Sequence, residues 1–246
     1  RNSKTHSLLP ESFDAAKRSS EMVQASALLL RDLDNTMVVR FQSKASADKA
    51  IAALRADPSV VSVEPNYIIK TDQIKASEVT KDDQWALKAI GAAEAWAKTK
   101  GKGVTVGIVD TGIDFYHPAL APSLHINLAE DINHNGTYEP WPSAETRNGV
   151  SGDFDGIDND GNGFSDDVIG YDFVDQYAFN FGDYSSPDPI PLDENGHGTA
   201  VGGIIAAREV NGKGTIGLAP ESKLLIARSF DLNGEGESSN IAAGIV

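Results

Sequence analysis

The chain has 246 residues and is acidic, with 36 Asp and Glu against 21 Lys and Arg and a formal net charge of −15. This charge argues against nucleic acid and anionic membranes as partners, and no run approaches the roughly eighteen consecutive apolar residues that a membrane-spanning helix needs. A hydrophobic content of 40% is enough for a core, in one large domain or two smaller ones. Since there is no cysteine, the redox compartment stays open.

The part of the chain before residue 76 predicts a small α+β module. Residues 11–22 read as helical, and residues 35–41 alternate as in a strand. Residues 46–56 predict an amphipathic helix with a serine cap, and residues 60–69 predict a last strand. The segment 71–83 is polar and poor in large apolar residues, which is typical of a linker.

A second kind of structure begins at residues 104–109, which are β-branched and apolar and predict a fully buried parallel strand. Asp110 follows this strand directly and is followed by a Thr-Gly turn. Open α/β sheets form their ligand crevice at the carboxyl ends of their strands. We therefore expect Asp110 to lie at the edge of a functional crevice.

Most of the excess negative charge is concentrated between residues 131 and 194, which contain 15 acidic residues and one basic residue. Such a segment repels itself unless cations bind it or it stays disordered. Two loops within it have the spacing of calcium ligands, and for both the alternative is a solvated acidic turn.

The stronger of the two is the Asp158 loop, residues 158–166. Gly163 takes the sixth position of a calcium loop, and positions one, three, five, seven and nine carry Asp158, Asp160, Asn162, Phe164 and Asp166, where Phe164 would offer its carbonyl oxygen. The final bidentate Glu is replaced by Ile169, so Asp166 or Asp167 would have to complete the shell.

The Asp131 loop, residues 131–139, repeats this pattern with fewer charges. Its predicted ligands are Asp131, Asn133, Asn135 and Thr137. We expect it to bind calcium more weakly than the Asp158 loop.

His197 lies in the run Asn-Gly-His-Gly-Thr over residues 195–199, 87 positions after Asp110. It opens a helix of small residues predicted over 198–207. A buried Asp that fixes the tautomer of an imidazole lets that imidazole take a proton from a serine hydroxyl. The pair thus predicts two members of a hydrolytic relay, against the alternative of a structural Asp and a capping His.

The segments around Asp110 and His197 resemble the corresponding motifs of the subtilisin-like serine proteases, the subtilases, and occur in that family's order. Residues 85–96 and 214–228 also resemble the segments that flank these motifs, so that the resemblance covers roughly residues 30–246. It implies an α/β fold, with a mostly parallel sheet covered by helices on both faces, and a secreted serine endopeptidase that acts on proteins or peptides through an acyl-enzyme.

The same resemblance implies an inhibitory prodomain with a ferredoxin-like α+β fold. Residues 1–75 would be prodomain and linker, and residues 76–246 the N-terminal part of the catalytic domain with an acidic insertion at 125–194. In the family the tail of the prodomain lies in the substrate cleft as a product-like strand, so it acts as an intramolecular inhibitor. Self-cleavage would fall within the linker, at a bond that the sequence does not define.

No serine in the chain stands in the family's nucleophile setting, so we expect the nucleophile beyond residue 246 and the chain itself to be an inactive slice of a longer precursor. The alternative is a calcium-stabilised binding or chaperone module that has lost the serine half. Calcium itself is implied by the family, but Ala119 replaces the acidic residue frequent after its His-Pro turn. Calcium dependence is therefore expected in the insertion.

Overall fold

A computed structural model describes residues 22–27, 37–41, 43–71, 84–174 and 187–246. The chain divides into two compact units, Arg1–Tyr67 and Ile68–Ile245. None of the helices in the described ranges combines the length and the apolar character of a membrane span.

In the first unit, strand β1 (Met22–Ala27) pairs antiparallel with β2 (Met37–Phe41), and helix α1 (Lys44–Arg55) follows. The strand predicted at 35–41 is confirmed over residues 37–41, while residues 35 and 36 lie outside the described residues. The predicted helix begins two residues earlier than expected, because Ser43 and not Ser46 is its cap and accepts a hydrogen bond from Ser46 N at 3.2 Å.

Two predictions for this region were wrong. Residue 22 belongs to a strand and not to a helix, while residues 11–21 lie outside the described residues. The predicted strand at 60–69 is reduced to β3 (Ile68–Lys70), which belongs to the second unit. Pro65 interrupts the stretch, since proline cannot donate to a ladder of hydrogen bonds.

The second unit is built on a three-stranded parallel sheet in the order β4-β8-β7. These strands are β4 (Thr105–Asp110), β8 (Lys223–Arg228) and β7 (Gly170–Asp172). Helix α4 (His197–Ala206) packs on the face formed by Ile108 and Leu224, and helix α5 (Ser238–Ile245) packs on the other face, against Val109 and Ala227. The expected α/β class with helices on both faces is therefore confirmed, whereas a ferredoxin-like first unit stays a prediction.

The expectation of a fully buried strand at 104–109 was wrong. Val104 is 53% exposed, Thr105 and Gly107 are also exposed, and Ile108 is buried. The reason is that β4 lies at one edge of the sheet among the described strands, while Gly244 of α5 lies close to it at Val109, near its carboxyl end. Burial is thus concentrated where Asp110 ends the strand.

Shorter elements complete the second unit. They are α2 (Trp85–Ala89), α3 (Ala92–Trp96), a 3₁₀ turn (Ala121–Ser123), the hairpin of β5 (Thr146–Arg147) with β6 (Val150–Ser151), and β9 (Glu235–Glu237). β3 pairs antiparallel with β9, which leads into α5.

Candidate active site

The centre of the site is a hydrogen-bonded pair formed by the last residue of β4 and the first residue of α4. Both carboxylate oxygens of Asp110 lie close to His197 Nδ1, at 2.7 and 2.8 Å. The side chain of Asp110 is 12% exposed and that of His197 is 20% exposed. His197 Nε2 has no hydrogen-bond partner among the described residues, so one nitrogen of the imidazole is held and the other is available.

Backbone contacts bring the two elements together. Thr111 N donates to Asp110 Oδ1 at 2.7 Å, and Thr111 Oγ1 accepts from Gly198 N at 2.9 Å. A side chain on Gly198 would collide with the carbonyl oxygen of Gly112, so the helix can approach this closely only with glycine at that position. Gly196, which precedes His197, has a φ of 100°, where glycine is strongly favoured.

Asp193 holds the turn in front of α4. Its carboxylate accepts hydrogen bonds from Thr111 Oγ1 at 2.8 Å, from the amides of Asn195, Gly196 and Thr199, and from Thr199 Oγ1. Burial alone would raise the pKa of Asp193, but the hydrogen bonds outweigh burial and leave the pKa below its usual value. Asp193 is therefore a carboxylate at neutral pH.

A buried arginine ties the same turn to the sheet. Arg228 ends β8 beside Asp110 and is 1% exposed. It donates to Asp172 Oδ2 at 2.7 Å and to Glu194 Oε2 at 3.0 Å. The sequence analysis missed Arg228, Asp193 and Glu194, although an arginine at the end of a core strand is a signal that an acidic partner must be near.

Residues 68–71 lie along β9, which follows a loop bonded to the turn that carries His197. Lys70 is opposite Glu235, and the two side chains form an ion pair. Beyond the strand, Thr71 N donates to the carbonyl oxygen of Gly234 at 2.8 Å. Asn195 Nδ2 donates to the carbonyl oxygen of Leu232 at 2.9 Å, so the turn that carries His197 is bonded to the loop that enters β9.

In the Asp158 loop the structure brings together Asp158, Asp160 and a residue that the sequence analysis missed, Glu130. One carboxylate oxygen from each lies within 4.8 Å of the others, an acidic group that could hold a metal ion. Asn162 lies beside them and contacts Asp160 and Asp167. Glu130 is fully buried, although it precedes the loop by 28 positions.

The remaining predicted ligands of this loop behave differently. The carboxylate of Asp166 accepts hydrogen bonds from the amides of Asp155 and Gly156, outside the acidic group. The ring of Phe164 packs on Tyr171, and the role of its carbonyl oxygen as a ligand stays a prediction. Of the two candidates for completing the shell, Asp167 is the better placed, and burial raises its pKa to about 6.

The Asp131 loop draws its four predicted residues around two further carboxylates, Glu139 and Asp153. Asn133 Nδ2 donates to Asp153 Oδ1 at 2.8 Å, while Asn135 Nδ2 and Thr137 Oγ1 donate to Glu139 at 2.9 and 2.7 Å. Asp131 accepts from Gly136 N at 2.8 Å. The sequence analysis did not identify Asp153, which lies 22 positions after Asp131.

Buried carboxylates without cationic partners are common to both loops. Glu130, Asp131 and Asp153 are at most 1% exposed, and within the described ranges no lysine or arginine forms an ion pair with them. Burial, then the nearby Glu139 and Asp131, raise the pKa of Asp153 to about 7. A bound divalent cation would fit these oxygen donors, because a buried carboxylate is costly unless a positive charge compensates it.

Residues 101–246 match the Subtilase family, and the chain belongs to that family. This confirms the resemblance drawn from the motifs around Asp110 and His197. A serine peptidase fold and chemistry are thereby established at the level of the family.

Several curated proteases are similar to the chain. A thermophilic serine proteinase of Bacillus sp. (strain AK1) is 27% identical over 243 residues, covering 96% of this chain and 46% of that protein. The minor extracellular protease Vpr of Bacillus subtilis (strain 168) is 30% identical, with 83% and 20% covered, and subtilisin-like protease 1 of Plasmodium berghei (strain Anka) is 32% identical, with 64% and 22% covered. The chain thus spans less than half the length of each of these relatives.

Proposed function

We propose that the protein is a serine endopeptidase that cleaves peptide bonds through an acyl-enzyme. His197 acts as general base and then as general acid through Nε2, and Asp110 fixes the tautomer of the imidazole and stabilises its protonated form. The observation that carries this proposal is the carboxylate of Asp110 on His197 Nδ1, in a chain of the subtilase family. Protein and peptide substrates follow from the same reaction.

The nucleophile in this proposal is a serine outside residues 1–246. Among the described residues, no serine hydroxyl is hydrogen-bonded to His197, and each of the three relatives above is more than twice as long as the region that it shares with this chain. The present chain alone would therefore lack hydrolytic activity. The competing proposal, an inactive binding or chaperone module, predicts that the full-length protein also lacks a reactive serine.

We further propose that residues 1–75 form an inhibitory prodomain with its linker, and residues 76–246 the N-terminal part of the catalytic domain. The pairing of β3 with β9 supports this role, because a segment that occupies β9 would block the pairing of a substrate with the same strand. Self-cleavage would then fall in the linker after Thr71. Release of this segment would activate the enzyme.

Calcium is the proposed cation of both acidic loops. Glu130, Asp158, Asp160, Asn162 and Asp167 would hold one ion, and Asp131, Asn133, Asn135, Glu139 and Asp153 a second, with the Thr137 carbonyl as a further donor. These are hard oxygen ligands, as Ca²⁺ requires. Bound calcium would neutralise the buried carboxylates.

Secretion is proposed on the family resemblance and on a relative whose name says that it is extracellular.

The experiment that tests the proposed reaction compares two histidine variants of the full-length precursor. We expect His197→Ala to abolish both casein hydrolysis and release of the prodomain, since losing the general base costs several orders of magnitude in rate. His125→Ala, which changes the histidine at the first position of the acidic insertion, should process and hydrolyse at the wild-type rate. Processing of His197→Ala at a comparable rate would show either that another protease is responsible or that His197 is not the base.

A serine-directed phosphonate separates the two proposals for the full-length protein. The endopeptidase forms a covalent adduct on a serine outside residues 1–246, whereas the present chain, incubated alone, forms none. A full-length protein that folds but neither reacts with the phosphonate nor hydrolyses casein would support the binding module.

A further inference from the structure

The pairing of β3 with β9 shows which side chains β9 accepts in a partner strand. β3 and β9 are antiparallel, with Ile68 opposite Glu237, Ile69 opposite Gly236 and Lys70 opposite Glu235. Directly opposed residues of an antiparallel pair have their side chains on the same face of the sheet. The ammonium group of Lys70 accordingly forms its ion pair with the carboxylate of Glu235, across the ladder.

The direction of this segment relates it to the catalytic pair. After β3 the chain continues to Thr71, whose amide donates to the Gly234 carbonyl oxygen. A Cβ atom on Gly234 would collide with Thr71 Oγ1 and lie 3.5 Å from Asn195 Nδ2. Asn195 precedes His197 by two positions, and an extended chain advances roughly 3.3 Å per residue. A peptide in this register therefore reaches the turn that carries His197.

Main-chain hydrogen bonds of such a ladder are the same for every sequence, so selection among peptides must come from side-chain pairs. In a strand that pairs with β9, the residue opposite Gly236 faces no side chain. The residue opposite Glu235 faces a carboxylate. Glu235 is also 36% exposed, so an incoming side chain can reach it. An acidic residue at the same place would face a like charge, which is destabilising.

We propose that Glu235 is a specificity-determining residue, which selects lysine or arginine at the substrate position that pairs with it. This inference rests on the proposed endopeptidase function and on β3 as the model of a bound substrate. Lys70 is then the residue that adapts the chain's own segment to the cleft. Because the pair is solvent-exposed, its effect is a moderate preference and not an absolute requirement.

The test uses internally quenched fluorogenic peptides that reproduce residues 66–77, with Lys70 kept or changed to Gln or Glu. With the full-length protease, kcat/KM should fall about fivefold for Lys70→Gln, the upper range for an exposed ion pair, and further for Lys70→Glu. The Glu235→Gln variant should lose the preference for lysine, and Glu235→Lys should prefer the Glu peptide. Glu235→Lys is made together with Lys70→Glu, so that its own segment stays matched.

The ratio of the kcat/KM values of two peptides, measured on one enzyme preparation, does not depend on what fraction of the variant is folded. Glu221→Lys is the matched control, because it makes the same change of charge at an exposed residue just before the start of β8, at the end of the sheet away from Asp110. It should keep the wild-type ratios. Equal turnover of all three peptides, or of none while casein is hydrolysed, would overturn the inference and leave the proposed protease standing. Loss of casein hydrolysis as well would overturn both.

Discussion

Asp193 is the residue on which the turn in front of His197 depends most. We expect Asp193→Asn to lower the free energy of unfolding by about 2–3 kcal/mol, because an amide keeps one acceptor oxygen and directs its NH₂ group at donors. In a chain of this size that is a fall in Tm of about 5–10 °C, measured by calorimetry. Asp114→Asn is the control, since Asp114 accepts one backbone hydrogen bond, from Tyr116, and should shift Tm much less.

The lowered pKa of Asp193 also gives this prediction a pH signature. A carboxyl whose pKa is lower in the folded than in the unfolded state adds stability above its unfolded pKa, and this stability is lost as pH falls through the folded pKa. The gap in Tm between wild type and Asp193→Asn should therefore be full at pH 7 and shrink below about pH 4. Equal melting of the two proteins at pH 7 would contradict the role given to Asp193.

Residues of the site differ in how well the sequence predicted them. Asp110 and His197 stand in local motifs, so their pairing could be predicted from the order of the motifs. Arg228 with Glu194, and Glu130 with Asp158, are joined by tertiary contacts across 34 and 28 positions respectively. No local pattern indicates such partners, which is why the sequence analysis missed them.

Among the elements, α4 places the strictest demand on its sequence. Gly198→Ala should lower stability and separate His197 from Asp110, because the new methyl group would meet the backbone of Gly112, which cannot move aside as a side chain can. Gly203→Ala lies in the same helix with no atom within 4 Å of the added methyl group. It should raise Tm by about 1–4 °C through helix propensity of about 0.5–1 kcal/mol.

Thermal melting of both variants checks the prediction on stability, and casein hydrolysis by the full-length variants checks the prediction on geometry. If Gly198→Ala retained wild-type stability and activity, the close approach of α4 to the end of β4 would not be required. A loss of stability in Gly203→Ala equal to that in Gly198→Ala would show that any alanine disturbs the helix.

Elements with a strong local period were predicted well, and elements defined by their partners were not. β4 and α4 lie where the sequence predicted them, within one residue at either end. β3 was expected within a longer strand of the first unit, yet it pairs with β9 more than 160 positions away. The short apolar run of β3 is equally compatible with a strand of the first unit and with β9 as its partner. Only the tertiary structure determines which of the two it pairs with.

For the molecule as a whole, the uneven distribution of charge is the dominant electrostatic feature. The segment 131–194 contains 15 acidic residues and one basic residue, and its buried carboxylates other than Asp172 lie in or beside the two loops. Glu130 and Asp131 are neighbours in sequence. Glu130 accepts a hydrogen bond from Asn159 N of the Asp158 loop, and Asp131 accepts one from Gly136 N of the Asp131 loop. The two loops therefore share a backbone support, so we expect cation binding to stabilise the second unit as a whole.

We expect calcium to raise the Tm of the full-length protein. A ligand that binds only the folded state adds about 2.7 kcal/mol at a hundredfold excess over its Kd, which corresponds to about 5–10 °C here. Melting in millimolar calcium and again in chelator measures the shift. Asp158→Ala with Asp160→Ala should remove part of it, and Asp153→Asn another part, because the two loops bind separate ions.

Glu145→Gln is the matched control for these substitutions, since it removes one negative charge within the same segment but outside both loops, where Glu145 pairs with Arg147 at 2.7 Å. It should keep the full calcium shift, because that shift depends on ligand oxygens and not on the net charge of the segment. A Tm unaffected by chelator would identify both loops as solvated acidic turns. If the calcium shift in Tm survived all three aspartate substitutions, the ion would have to bind elsewhere. An ion held by Asp153, Asp158 or Asp160 would lose ligands in these variants, and its contribution to stability would fall.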